Sequence, residues 1–572
     1  MGAAMALSQS GCTSLREYVQ NGFKVGPNYC RPPARVAERW IDADDKLHRV
    51  KSESDDLGQW WTVFKDPVVQ SEDPVLNHLI FTAYRQNLTL RQAGFRILEA
   101  RAQLGIARGT FFPQLQDAVG SYRREGINQN FFDQWNFGFN LAWELDFWGR
   151  FRRAIEAADD QLDASIEDYD FVLVTLLGDV ATNYVQIRTD QQRLTLLRKN
   201  VKLQEGVLKV VRRWLEEGVR GITAIDVNQA ESNLKQTQAQ IPQLEIDLRL
   251  AMNRLCILLG KPPEELQKSL DVWRTEDLRK AEELRQAEEA LSNLLRTADL
   301  TKTEEVQKLE KLWRTIGTVY IPTVPDEVAV GIPAELLRRR PDVQRAECQA
   351  AAQAEQIGIA QSDLYPAFTI NGTLGYQAGE FSHLFTSNAF NGSVGPSFQW
   401  NLLNYGRIVH NVRLQDARFQ ELVVAYQNTV LQANEEVENG LVTFLRAQER
   451  AELLGESARA GQRAVSVALA QFGAGAIQFN QYAVIEQSLV QQEDSWAQAR
   501  GQIALGLIQV YKALGGGWEI RLQPEGTTPA VLATPPSAPG VPPGNPGTLP
   551  NAPEVLEEPP IPPQPARKPA QD

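Results

Sequence analysis

The stretch QWNFGFNLAWELDFWGR (residues 134–150) sets Trp135, Phe137, Phe139, Leu141, Trp143, Leu145 and Phe147 at every second position, with Asn136, Gly138, Asn140, Ala142, Glu144 and Asp146 between them. Successive strand side chains point to opposite faces, so a period of two reads as a strand with one apolar and one polar face. Any soluble sheet with one wet face gives the same pattern. The stretch, however, occurs twice. At an offset of 257 residues Trp143, Gly149 and Arg150 recur as Trp400, Gly406 and Arg407 in SFQWNLLNYGR, where Val394, Phe398, Trp400 and Leu402 alternate with Ser393, Gly395, Ser397, Gln399 and Asn401. The chain is a duplicated unit, and each copy ends a strand at Gly-Arg.

Upstream, Leu76, Leu79, Ile80 and Ala83 lie at helical spacing, Asn87 marks a break, and a second helix runs through Ala93, Ile97 and Ala100 to the stop at Phe112-Pro113. Proline disfavours helix in the residue before it, so the chain emerges extended. A first strand (114–124) and a polar loop (125–133) then complete a hairpin with the opening stretch. That first strand is the poorest of the set, because Asp117 shares a face with Leu115 and Val119.

Downstream of Gly149-Arg150 the pattern is helical to about residue 217, roughly 100 Å at 1.5 Å per residue. A break at 218–221 leads into a return helix, 223–259, that ends at Gly260-Lys261-Pro262-Pro263 and contains Pro242, where a kink is expected. The second copy repeats the plan from Arg407 to about Phe472, breaks at Gly473-Ala474-Gly475 and returns to Gly515. Because Gly260 matches Gly515, the offset falls to 255, and the first tip is expected to be two residues longer than the second.

Composition sets outer limits. The 572 residues carry a formal charge of -13, which argues against a nucleic-acid partner. No run of about 18 apolar residues exists, so any membrane-spanning part is made of strands. Cys12, Cys30, Cys256 and Cys348 lie far apart without a CxxC pair, and describe no disulfide framework. The start, MGAAMALSQSGC, is a stub of a secretory signal at best; Cys12 sits where a lipoprotein cysteine would sit, although Gln9 stands where such boxes prefer Leu. Residues 264–315 are largely charged, with an amphipathic pattern that reads as a solvated appendage. Residues 521–572 hold 16 prolines and cannot bury a core.

Other segments carry a resemblance. IPAELLRRRPDVQRAE (332–347) resembles the PAELL.RRPDV..AE signature of the outer-membrane factor family, the TolC-like exit channels of tripartite efflux systems, and VGPNYCRPP (25–33) resembles the opening of its lipoprotein branch. The stretch from Trp60 to Leu79, both Trp-plus-Gly-Arg strand ends and both aromatic-Pro stops fall in that family's order. The resemblance implies a mixed α and β fold: duplicated long-helix hairpins forming a periplasmic α-barrel, and four strands per chain contributing to a trimeric outer-membrane β-barrel. On this reading the chain divides into a signal remnant and possible anchor (1–24), a first repeat (25–263, hairpin 114–147, helix pair 150–260), an inserted and equatorial segment (264–331), a second repeat (332–520, hairpin 367–404, helix pair 407–515) and a tail (521–572).

The implied function is a passive exit duct for small toxic compounds, working as a homotrimer with a periplasmic adaptor and an inner-membrane pump. Metal-ion efflux or type I protein secretion would use the same fold, and a coiled-coil structural protein without a pore is the third reading. No cofactor is expected. His48, His78, His383 and His410 match no catalytic or metal spacing, so an enzyme is not expected. The arginine run 338–340 reads as structural, beside a helix start. The expected functional residues are Cys12 as lipid anchor; Trp135, Phe137, Phe139, Leu141, Trp143, Phe398 and Trp400 facing lipid; and Gly218, Arg220, Gly221, Gly473 and Gly475 at the periplasmic tips. Two residues beyond Gly475, where relatives can carry Asp, this chain has Ile477, which leaves packing or Arg220 as the constriction.

Overall fold

A computed structural model describes residues 15–42, 49–51, 57–65, 73–127, 130–263, 321–331 and 339–522. Cys12, the charged segment 264–315, Arg338 and the proline-rich tail beyond 522 lie outside the described residues. The chain divides into two units, Met1–Arg521 and Leu522–Asp572, and of the second only Leu522 is described.

Within the first unit the order is α1 (Leu15–Gln20), β1 (Val50–Lys51), α2 (Pro74–Gln86), α3 (Leu88–Gly109), β2 (Leu115–Ile127), β3 (Asn130–Leu145), α4 (Arg150–Glu216), α5 (Ala224–Leu258), β4 (Val328–Ala329), α6 (Pro341–Ser362), β5 (Ala367–Ala378), β6 (Phe390–Gln399), α7 (Arg407–Gly473) and α8 (Phe479–Ala513). The duplication is exact in helix length. Both α4 and α7 have 67 residues, α5 and α8 have 35, and α3 and α6 have 22. At 1.5 Å per residue the 67-residue helices are about 100 Å long.

In each repeat the two shorter helices meet end to end beside the long one. Where α5 ends, Asn87 donates from Nδ2 to the Leu258 carbonyl at 2.9 Å and accepts from the Leu90 amide at 2.8 Å, capping α3 in the same stroke. Where α8 ends, Arg340 donates from Nη1 to the Ala513 carbonyl at 2.7 Å, while Asp342 and Glu436 hold its guanidinium. Arg340, 4% exposed, is therefore the structural residue of the arginine run. Each junction also closes on a glycine in the left-handed region, Gly260 or Gly515, where a side chain would meet the Gln86 carbonyl or the Arg340 backbone.

The core lies around this junction. Trp60, Trp61 and Phe64 are buried with Leu76, Leu79 and Ile80 of α2 and Leu173, Leu177 and Val180 of α4, and Trp60 stacks on Tyr511 of α8 at 5.5 Å. A two-stranded parallel pair, Val50 with Val328 and Lys51 with Ala329, ties the N-terminal segment to the inter-repeat segment. Among the described residues no helix is long and apolar enough to cross a membrane.

The strands form one antiparallel sheet in the order β2-β3-β5-β6, so the two hairpins join through β3 and β5. Three sequence expectations change here. Residues 125–127 and 130–133 are strand rather than loop, since the ladder continues to the Ile127–Asn130 pair. Their polar side chains satisfy each other across the hairpin, with Tyr122 donating to Asp133 at 2.8 Å and Arg124 lying 5.3 Å from the Phe131 ring, so pairing persists after the apolar alternation fades. Conversely β6 stops at Gln399, placing Trp400 and Leu402 beyond the strand; the chain bends there, the Leu402 amide donating to the Trp400 carbonyl at 3.1 Å. Finally, Leu115 and Val119 pair with Ala142 and Gly138, so both lie on the polar face with Asp117; the face β2 shares with Phe139 carries Gln116, Ala118, Gly120 and Tyr122.

Candidate functional site

The register sorts the sheet into two faces. On one lie Trp135, Phe137, Phe139, Leu141 and Trp143 of β3, with Ile370, Leu374 and Tyr376 of β5 and Phe390, Val394 and Phe398 of β6. Phe139 is 58% exposed, Phe398 69% and Val394 80%. A contiguous apolar surface of this kind marks contact with a membrane or another protein. The opposite face is a network of amides and hydroxyls. Thr369 and Ser397 hydroxyls bond at 2.8 Å, Asn371 donates to Ser397 at 2.8 Å, Thr373 and Ser393 bond at 2.9 Å, and Asn136 donates to Ser121 at 3.3 Å. Of the expected lipid-facing residues, the five from β3 and Phe398 of β6 thus share one face of one sheet.

At one end of the apolar face each repeat anchors its tryptophan in the same way. Trp143 donates from its indole N–H to the Phe111 carbonyl at 3.2 Å, and Trp400 to the Leu364 carbonyl at 3.0 Å, each just before the aromatic-Pro stop. Trp400 keeps its place at the foot of the sheet although it has left the strand. Trp143 lies eight positions beyond Trp135, about 26 Å along a strand and so about 20 Å in height at the tilt of a barrel strand, most of the ~25 Å apolar band of a barrel wall flanked by aromatic girdles. The strand-to-helix elbows follow at Gly149 and Gly406, with φ of 82° and 83°, where a residue with a Cβ is disfavoured. Asp146 accepts from the Phe151 and Arg152 amides, capping α4. Residues 15–26 fold onto this elbow: Tyr18 donates to the Phe147 carbonyl at 2.6 Å, and buried Arg153 donates to the carbonyls of Val25 and Gly26.

At the other end of the helices, both tips begin alike. Gly218 and Gly475, with φ of 71° and 70°, follow α4 and α7, and the next amide reaches back five residues, Val219 to the Trp214 carbonyl at 2.9 Å and Ala476 to the Gln471 carbonyl at 2.8 Å. Gly473 is the last residue of α7 rather than part of the turn, because the left-handed position falls on Gly475. The first tip, 217–223, is two residues longer than the second, 474–478. The extra length includes Gly221, φ 91°, beside exposed Arg220. Thr223 and Asp226 form a capping box at the start of α5. Ile477 packs against an aromatic cluster in which Phe472 lies 5.2 Å from Trp214 and stacks on Tyr482 at 5.9 Å.

Sequence reasoning missed a set of buried polar residues above the tips. Glu486 is 4% exposed and accepts from the Tyr482 hydroxyl at 3.0 Å; burial pushes its carboxyl up to about 7. Two turns further, Glu493 accepts from Asn200 at 3.0 Å and Gln462 at 2.9 Å, and Arg193 grips Asp494 through Nε at 2.7 Å. Glutamates and glutamines on a long helix read as solvated faces, so no local pattern separates these from their exposed neighbours.

Residues 79–261 and 332–516 match the family described as "Outer membrane efflux protein". The chain belongs to that family. The two matched segments coincide with the two repeats. Among curated relatives, Nodulation protein T of Rhizobium leguminosarum bv. trifolii is 26% identical over 507 residues, covering 87% of this chain and 95% of the relative. The probable outer membrane lipoprotein SilC of Salmonella typhimurium is 25% identical over 515 residues, covering 89% and 96%. Among solved structures, the outer-membrane channel OprN superposes with a TM-score of 0.72 at 27% identity, covering 86% of this chain and 99% of that one. As an outer membrane efflux protein, the chain works at the outer membrane, with its long helices extending into the periplasm.

Proposed function

We propose that three copies of this outer membrane efflux protein close a twelve-stranded barrel, with the aromatic face against lipid, the amide and hydroxyl face lining the lumen, and the helix tips at the periplasmic entrance. A periplasmic adaptor and an inner-membrane pump deliver small toxic compounds to it, and the duct passes them out without chemistry of its own. One observation carries the assignment: the sheet has one apolar face, one hydrogen-bonded polar face, and outer edges on β2 and β6 that no strand among the described residues covers. Backbone groups left unpaired in lipid cost several kcal/mol each, so such edges must be joined to further strands. The relative described as a probable lipoprotein supports Cys12 as a lipid anchor. Gly218, Arg220, Gly221 and Gly475, with Gly473 as the helix end before them, would form the entrance.

The test places a charge on each face in turn. Arginine at the bilayer midplane costs about 2–4 kcal/mol on a lipid-facing position. Phe139→Arg is expected to block insertion of the trimer into outer membrane, whereas Asn140→Arg inserts and lowers single-channel conductance. Equal effects from the two substitutions would remove the assignment of faces.

A further inference from the structure

The polar face of the sheet is almost without net charge, and the exception is Asp117. At one end of that face Arg123 donates to Glu125 at 3.0 Å, so the two charges offset each other. At the other end the Arg150 guanidinium lies 3.6 Å from both Glu144 and Asp363, where the strands meet the helices. Between them the residues facing this way are neutral, apart from Asp117 of β2. Its row across the sheet is Asn140, Thr373 and Ser393. Thr373 and Ser393 satisfy each other, but the covered Oδ1 of Asp117 has no hydrogen-bond partner. Asn140 adjoins Phe139, midway between Trp135 and Trp143, so the carboxylate sits at the middle of the apolar band.

We propose that Asp117 sets the ion selectivity of the barrel, three carboxylates at one height forming a ring that favours cations over anions. The inference rests on the reading that the polar face lines the lumen. Rings of acidic side chains select cations by their field, without binding them directly. The lumen of a twelve-stranded barrel is wide, so the carboxylates act across water and their influence follows the screening length. That length is about 10 Å at 0.1 M salt and about 3 Å at 1 M. Cation preference should therefore be marked in dilute salt and fade in concentrated salt, unlike selectivity imposed by a narrow constriction. Its position also makes it independent of the helix tips, where Ile477 stands and no acidic ring is expected.

The experiment is a reversal-potential measurement on purified trimers in planar bilayers, under a tenfold KCl gradient kept below about 0.1 M and again near 1 M. Wild type is expected to prefer potassium over chloride in the dilute gradient and to lose most of that preference in the concentrated one. Asp117→Asn should abolish the preference and Asp117→Glu should keep it. Should Asp117→Asn fail to insert, Asp117→Ser and Asp117→Thr, which match the hydroxyl side chains of the same row, carry the same comparison. A preference that survives removal of the carboxylate, or a wild-type channel with none, overturns the proposal. Thr373→Lys, exposed in the same row, separates the two readings. If it shifts the reversal potential towards chloride while Asp117→Asn changes nothing, the face lines the lumen but Asp117 is not the determinant. If neither moves it, the lumen reading itself fails.

Discussion

The two repeats agree to the residue in their helices and disagree in what holds those helices together. At the end-to-end junction the first repeat uses Asn87, a neutral amide that caps α3 and binds the Leu258 carbonyl. The second uses Arg340, a buried cation that binds the Ala513 carbonyl and is held by Asp342 and Glu436. Helix length is what each copy must share with its neighbour in a common wall. The chemistry of the joint is local, so it is free to diverge.

Substitutions at the two joints are expected to differ in cost. Arg340→Ala removes a buried cation and its bond to the Ala513 carbonyl and strands the partly buried Asp342 carboxylate, and is expected to cost about 3 kcal/mol. Asn87→Ala removes a cap and one further bond, at about 1–2 kcal/mol. Thermal unfolding of the detergent-solubilised trimer ranks them, and an Asn87 variant as damaging as the Arg340 one would show that the joints are energetically alike.

The acids at matching positions of α5 and α8 come next. Glu231 is partly exposed and pairs with Arg212 at 2.9 Å, whereas Glu486 is buried. Because the folded carboxyl of Glu486 stands near 7 rather than its usual 4.5, the folded chain holds a proton that the unfolded chain releases between those values. Stability from this group is full below about pH 4.5, falls as pH rises to about 7, and is flat above. The loss is about 3 kcal/mol per chain. Glu486→Gln should flatten that part of the pH profile and stabilise the protein above pH 7. Glu231→Gln, at a screened surface pair, should change stability by less than about 1 kcal/mol.

Smaller effects sharpen the comparison at the tips and the sheet. Gly475→Leu forces a side chain into the left-handed region, at about 1–2 kcal/mol, while Gly473→Ala, in helical backbone, carries no such strain; protease nicking of the second tip would report the difference. With the barrel and the tip separated by the long helices, Gly475→Leu is expected to leave the trimer inserted and to abolish export of a toxic dye. Trp143→Phe and Trp400→Phe each remove one indole hydrogen bond, about 1 kcal/mol, and should match. Unequal losses would mean that leaving the strand at Gln399 has changed how the second tryptophan is held.

These contrasts also explain what the sequence made legible. The period-two stretch located β3 because its faces differ in polarity along its full span. The outer part of the same hairpin was hidden, since Arg124 and Asp133 there share a face with Phe131 and alternation carries no signal. In β2 the conspicuous apolar residues, Leu115 and Val119, belong to the polar face, and only pairing with β3 reveals it. The two Gly-Arg elbows and the left-handed glycine of each tip stood out because no other residue serves as well, but Gly473 could not be told from Gly475 by composition. The junctions were invisible, because Asn87 and Leu258 are 171 residues apart.

The junctions have a mechanical consequence. Each one divides a long helix's partner into two rigid pieces, and the lower piece, α5 or α8, has 35 residues between the joint and the tip. That makes it a lever arm of about 50 Å. A hinge angle of about ten degrees at the joint would carry the tip by about 9 Å, roughly the spacing of two packed helices. A side-chain adjustment at the joint too small to disturb the tryptophan core is thus amplified along the 35-residue arm, so the chemistry of Asn87 and Arg340 bears on how stiffly each tip is held.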